Sequence, residues 1–175
     1  MGFLSKLKEK TRGVMTAAEP GEGVAPAPES EVRERLRAIS GQGIETGDDD
    51  GAVVVAWAAK VASAGPGGGD YTHVYRAIRV ELEPEENEAS GICFNTDSDA
   101  ELGPGFLSVA KDWERGQHIG SESFKVVAWL GTVTSGGGAE GDEREASYKF
   151  SWSDLRDPVI DAVTGAGWTY KPKKL

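Results

Sequence analysis

The stretch YTHVYRAIRVELEPEENEASGICFN, residues 71–95, decides the fold. Between Tyr71 and Glu83, Val74, Ile78, Val80 and Leu82 alternate with Tyr75, Arg79, Glu81 and Glu83. This is the period of a strand with one apolar face. PEENE then supplies turn chemistry, and Ala89–Asn95 runs back. Two strands joined by a tight turn pair antiparallel.

Toward the N-terminus the pattern repeats. Ile44–Thr46, the acidic turn GDDDG and Ala52–Val61 read as a second hairpin, with Val53, Val55, Trp57 and Val61 on one face. Toward the C-terminus come a short run at Gly105–Ala110, the polar loop KDWERGQHIGSES and a strand over Phe124–Thr134. A Gly-rich connection, GGGAEGDERE, leads to a last major strand at Ala146–Trp152. SEVRERLRAISG, residues 30–41, is a helix that Ser30 can cap, with Val32, Leu36 and Ile39 on one side and Gly41 at its end. Asp157 before Pro158 marks the start of a second helix, which Gly165 and Gly167 stop before a short strand at Trp168–Tyr170. The expectation is an α+β domain: a curved antiparallel sheet of about six or seven strands, its apolar face covered by an N-terminal and a short C-terminal helix.

The first fifteen residues differ from the rest. Lys6, Lys8, Lys10 and Arg12 oppose Glu9, so this segment carries +3 while the whole chain carries −10, leaving −13 for residues 16–175. Phe3, Leu4, Leu7, Val14 and Met15 recur at helical spacing beside the basic face. Phe3, Leu4, Lys6, Leu7, Lys8 and Lys10 are therefore candidates for contact with an anionic membrane surface or a protein partner. Residues 16–29, rich in Pro, Gly, Ala and Glu, read as a flexible linker, and residues 30–175 as one domain. With 29 acidic against 19 basic residues, a nucleic-acid ligand is not expected. One cysteine, no secretory leader and no apolar stretch near the ~20 residues of a span point to the cytoplasm.

Chemistry-bearing residues are few. Asp48–Asp50 before Gly51 fit a hairpin turn better than a calcium loop, and Asn95, Asp97 and Asp99 alternate without a calcium loop's glycine or its twelfth-position Glu. Cys93 between Ile92 and Phe94 reads as a buried small hydrophobe. His73 begins a strand, while His118 lies in a loop among carboxylates that could orient a base. Arg76 interrupts an apolar strand face. With Trp57, Trp129 and Trp152 on strands, it could line an apolar pocket for an anionic ligand. No catalytic, metal or cofactor signature is present.

Ala56-Trp57, the run Arg79 to Pro84, Gly116-Gln117 and Asp157–Tyr170, ending in GWTY, resemble a group of small uncharacterised actinobacterial proteins. The similarity spans most of residues 30–175, and the Gly-rich insertions depart from it. It implies a compact bacterial domain and carries over no catalytic residue. The expectation is a non-enzymatic binding or interaction module, with a homodimer open. One alternative is a peripheral membrane factor tethered by residues 1–15. Another is a small-molecule carrier or enzyme with a pocket between sheet and C-terminal helix, using Arg76 or His118.

Overall fold

The computed structural model describes residues 16–62, 71–98, 114–129 and 146–173, apart from the side chains of Ala128 and Trp129. The basic segment 1–15, Asp99 and the strand expected at Gly105–Ala110 lie outside these residues. In chain order the elements are α1 (Glu29–Arg37), β1 (Ile44–Asp49), β2 (Ala52–Ala62), β3 (Tyr71–Glu83), β4 (Glu88–Ser98), β5 (Glu114–Gly116), β6 (Ser121–Trp129), β7 (Ala146–Ser151), α2 (Trp152–Gly165) and β8 (Thr169–Pro172). The class is α+β, a curled antiparallel sheet with a helix near each end of the chain.

The two hairpins of the sequence form its centre. β2 and β3 pair from Val53↔Val80 to Ala62↔Tyr71, and β3 and β4 from His73↔Ser98 to Glu83↔Glu88. Asp50 and Gly51 make the two-residue β1–β2 turn with φ of 44° and 79°, the left-handed pair that a primed hairpin turn requires. At the β3–β4 turn Asn87 takes φ 52°. Each outer edge of this three-stranded centre is shared between two short strands. β1 covers Ala52–Trp57 of β2 while β6 takes Ala59–Val61, with a register irregularity between Lys60 and Val61. On β4, β8 runs parallel to Glu88–Gly91 and β5 antiparallel to Cys93–Asn95.

Both helices lie against one face of the sheet. Val32 and Leu36 of α1 and Leu155, Val159, Ile160 and Val163 of α2 are almost wholly enclosed with Val53, Val55, Trp57, Val74, Ile78 and Val80. The opposite face carries a second buried cluster: Val54, Ala56, Ala58, Tyr75, Ala77, Ile92 and Phe94. Burial of successive residues on both faces explains why β2 reads as a nearly continuous apolar run.

Both helix starts differ from expectation. α1 begins at Glu29 behind Pro28 with no side-chain cap, so Ser30 sits within its first turn. α2 begins at Trp152, well before Asp157. Ser151 accepts from the Ser153 N–H, and Asp154 reaches back to the Ser151 N–H in a capping box. Pro158 consequently lies inside the helix. The end of α2 is as expected: Gly167, at φ 76°, donates to Thr164 O, and Trp168 donates to Val163 O, closing a Schellman turn.

Residues 16–28, apart from a turn at Gly21–Val24, run without helix and are tied down along the C-terminal segment. Ala18 and Tyr170 exchange backbone hydrogen bonds of 2.8 and 2.9 Å, and Ala27 donates to Ala166 O at 2.9 Å. The Trp168 indole donates to Ala27 O at 2.8 Å. A Pro/Gly/Ala composition cannot build its own core, but the backbone donors of such a segment can still complete a neighbour's edge.

Candidate functional site

Arg76 pairs with Trp57 across β2–β3 and shares the helix-covered face with Val74 and Ile78. An arginine there must satisfy its donors without water. It does so with groups from three strands. Nε and Nη2 grip both oxygens of Glu122 on β6, at 3.1 and 2.7 Å. Nη1 donates to Asp97 of β4 at 2.8 Å and to the carbonyls of Tyr75 and Thr96 at 3.0 and 3.3 Å. Arg76 is 4% exposed, whereas the Asp97 and Glu122 side chains are 56% and 40% exposed. Burial works against its charge, but the bonds and fields of Glu122 and Asp97 prevail, and its pKa is raised. The guanidinium also lies over the Phe124 ring, 5.5 Å from its centre.

Arg76 forms the floor of an open cleft of about 320 Å³, lined by Asn95, Thr96, Asp97 and Glu114. Asn95 donates to Glu114 at 3.1 Å, and its enclosed Oδ1 has no partner among the described residues. Glu114, Asp97 and Glu122 set three carboxylates against one guanidinium, so the surroundings carry a surplus of negative charge. An anionic ligand would have to displace a carboxylate from Arg76, and a cationic group would not.

His118 lies in the connection between β5 and β6, which carry Glu114 and Glu122. Its ring stacks on Trp152 with centroids 4.9 Å apart and planes at 19°. Arg156 of α2, 4% exposed, donates to the His118 carbonyl. Burial lowers the His118 pKa; Glu114 and Glu122 oppose that effect, and Arg76 and Arg156 add to it. Next to it, Gln117 donates to Gly91 O at 2.9 Å and Lys173 O at 3.1 Å, and it accepts from the Cys93 thiol at 3.8 Å. Burial pushes that thiol up, so Cys93 is a protonated core side chain.

Four of the five residues singled out from the sequence for a pocket thus lie along one connected run. Arg76 rests on Phe124, Phe124 stacks on Trp57 at 5.5 Å, and Trp57 packs on Phe150 at 4.9 Å. Phe150 meets Trp152 edge-on at 5.5 Å, and Trp152 meets His118. Trp57 and Trp152 are 2% and 3% exposed and belong to the core. Trp129 pairs through its backbone with Ala59, and its side chain is outside the described residues. Between sheet and C-terminal helix the space is filled by Leu155, Val159, Ile160 and Val163. The cleft over Arg76 lies at the end of the β3–β4 hairpin away from its turn. Its carboxylate walls and Arg156 were missed as a set. The sequence offered little signal for them, since Asp97 falls just beyond the strand read as ending at Asn95 and Glu122 falls in the polar loop KDWERGQHIGSES.

Among the described residues, Glu83, Glu86 and Glu88 bring ligand oxygens within 4.8 Å of one another at the β3–β4 turn. Glu83 and Glu86 are exposed, and the half-buried Glu88 is already bonded to Lys171. No helix among the described residues is long and apolar enough to cross a membrane. Compared with known protein families, curated proteins and solved structures, the chain matches none of them.

Proposed function

We propose that this chain is a non-enzymatic binding module whose ligand surface is the cleft over Arg76, and that the ligand presents a positively charged amine. One observation carries the reading: a nearly enclosed arginine, fully engaged by Glu122 and Asp97, floors a cleft whose rim holds more carboxylate than it can neutralise. The volume of about 320 Å³ falls at the lower end of small-ligand sites. The His118 ring is engaged with an indole and no carboxylate orients it among the described residues, which favours binding over acid–base chemistry. The test is an NMR titration of the full chain with spermidine at low ionic strength and pH 7.5. Amide shifts concentrated at residues 95–97, 114 and 122, and lost in Asp97→Asn/Glu114→Gln, support the proposal. Uniform small shifts, unchanged in the double variant, overturn it.

A second reading, peripheral attachment to an anionic membrane, is favoured by a different observation. The Ala18–Tyr170 pairing sets Ala18, near the first described residue, beside β8, the strand that carries Lys171 and is followed by Lys173. Lys171 and Lys173 are bonded to Glu88 and Glu81, so the attraction must come chiefly from the +3 of residues 1–15. Co-sedimentation with phosphatidylglycerol vesicles, lost on deleting residues 1–15, is the expected result. Equal sedimentation of both proteins sinks it.

A further inference from the structure

We propose that His118 is a protonation-sensitive latch on the cleft: uncharged, it seats residues 117–120 against α2 and so holds Glu114 of the cleft wall and Glu122, the partner of its Arg76 floor, in place; charged, it leaves that seat. The inference rests on the cleft being the binding surface and adds a control element to it.

Glu114 and Glu122 belong to strands joined by residues 117–120, so that connection sets their separation. The segment is fastened at each position that can reach a neighbour. Gln117 bonds to Gly91 and Lys173, the His118 carbonyl accepts from Arg156, and the Gly120 carbonyl accepts from the Trp152 N–H at 3.1 Å. The imidazole closes this seat by stacking on Trp152.

The seat suits only the neutral ring. His118 Nε2 is enclosed and has no hydrogen-bond partner among the described residues. Whichever tautomer the neutral ring adopts, the imidazolium carries an N–H at Nε2, and there it meets no acceptor. The charged groups facing it come from every surrounding element: Glu114 of β5, Glu122 of β6, Arg76 of β3 and Arg156 of α2. Cys93 of β4 touches its backbone. Both carboxylates are committed elsewhere, Glu122 to Arg76 and Glu114 to Asn95, while the two guanidiniums oppose a third cation. Burial acts in the same direction, and the folded state holds the His118 pKa below its usual value. The sign follows. The stacked arrangement contributes fully above the free-histidine value of about 6.5 and loses its contribution as pH falls below it.

The experiment is an NMR pH titration of the ligand-free full chain from 7.5 to 4.5, beside His118→Phe, which keeps a ring on Trp152 but cannot titrate. The amides of residues 117–122 should move together in the wild type, with a midpoint below about 6.5, and stay still in His118→Phe. Spermidine affinity should fall with the same midpoint, by at most about tenfold per pH unit for one coupled proton. Free-histidine titration with static amides overturns the latch, as does the same transition in His118→Phe. His118→Gln serves as the non-titrating control if the Phe variant does not fold. Failure of the binding reading looks different: spermidine does not bind at pH 7.5 in either protein, while the ligand-free titration is unaffected.

Discussion

Replacing Gly91 by Ala is the smallest change that tests how tightly the C-terminal segment is locked to the sheet. Gly91 lies on β4, where β8 runs beside it. A Cβ there would sit 2.7 Å from Cζ and 2.8 Å from Cε2 of Tyr170, and nearer still to its hydroxyl. Ordinary contacts between such atoms need about 3.5 Å, so the ring must retreat by most of an ångström. It has little room to do so. Tyr170 is fully buried, and its backbone N–H and C=O are both bonded to Ala18. Overpacking in a rigid core costs about 1–3 kcal/mol, and the pinned backbone puts this site at about 3. For a domain of this size that lowers Tm by roughly 6–12 °C. Urea unfolding should show the lowered midpoint with an unchanged slope. The same experiment in Tyr170→Phe gives the internal check. Removing the hydroxyl relieves the nearest contact and leaves the two ring-carbon contacts, so Gly91→Ala should cost about 1 kcal/mol less there. Tyr170→Phe alone should be neutral or stabilising, because no group among the described residues bonds the buried hydroxyl. A Gly91→Ala cost below about 0.5 kcal/mol would refute the reasoning, since that is the size of an ordinary surface substitution.

Ser151→Ala removes the capping box of α2 and should cost about 1 kcal/mol in urea denaturation, whereas Ser30→Ala should cost little because Ser30 caps nothing. Trp168→Phe keeps the packed ring but loses the 2.8 Å bond to Ala27 O. It should cost about 1 kcal/mol and speed hydrogen exchange at Ala18 and Ala27. The Glu81 pKa is lowered chiefly by Lys173 and further by Arg79. Its contribution to stability is therefore present above the free-glutamate value of about 4.3 and lost as pH falls through the depressed folded value. Unfolding midpoints measured from pH 5 to 3 should fall less steeply in Glu81→Gln than in the wild type.

The parts of the fold legible in the sequence are those set by local rules. The 71–95 hairpin declares itself through its period, and Asp50-Gly51 and Gly167 occupy left-handed positions that their residue types favour. α2 was misplaced because Asp-Pro is a strong start signal and overshadowed the capping box opening at Ser151. The role of residues 16–29 was hidden for another reason: composition reports whether a segment can bury its own side chains, and this one is held by backbone pairing with Tyr170 and Ala166. The cleft was the least legible part. Arg76 stands out in an apolar strand face, but its partners lie 21 and 46 positions away, and no periodicity connects them. Arg156 was invisible because a basic residue on an amphipathic helix is ordinarily exposed, and here it is 4% exposed.

Those long-range partners also account for what fixes the shape of the cleft. Among the described residues, the arm formed by β6 and β7 joins the rest of the sheet where β6 meets Ala59–Val61 of β2, across an irregular register. Ladder bonds over so short a span allow an arm to twist, and two other ties oppose that. Arg76 ties β6 to β3 and β4 through Glu122 and Asp97, and the start of α2 ties residues 117–120 through Trp152 and Arg156. The first tie forms the floor of the cleft, and the second sets the spacing between Glu114 of its wall and Glu122, which holds Arg76. A ligand amine settling among the carboxylates would draw on the same charges that hold the arm. Binding and arm position are then linked, and any group that loosens the second tie changes the first. His118 is the one side chain in that second tie that changes charge near neutral pH without a large shift, which is why the arm's sensitivity to acid should run through it.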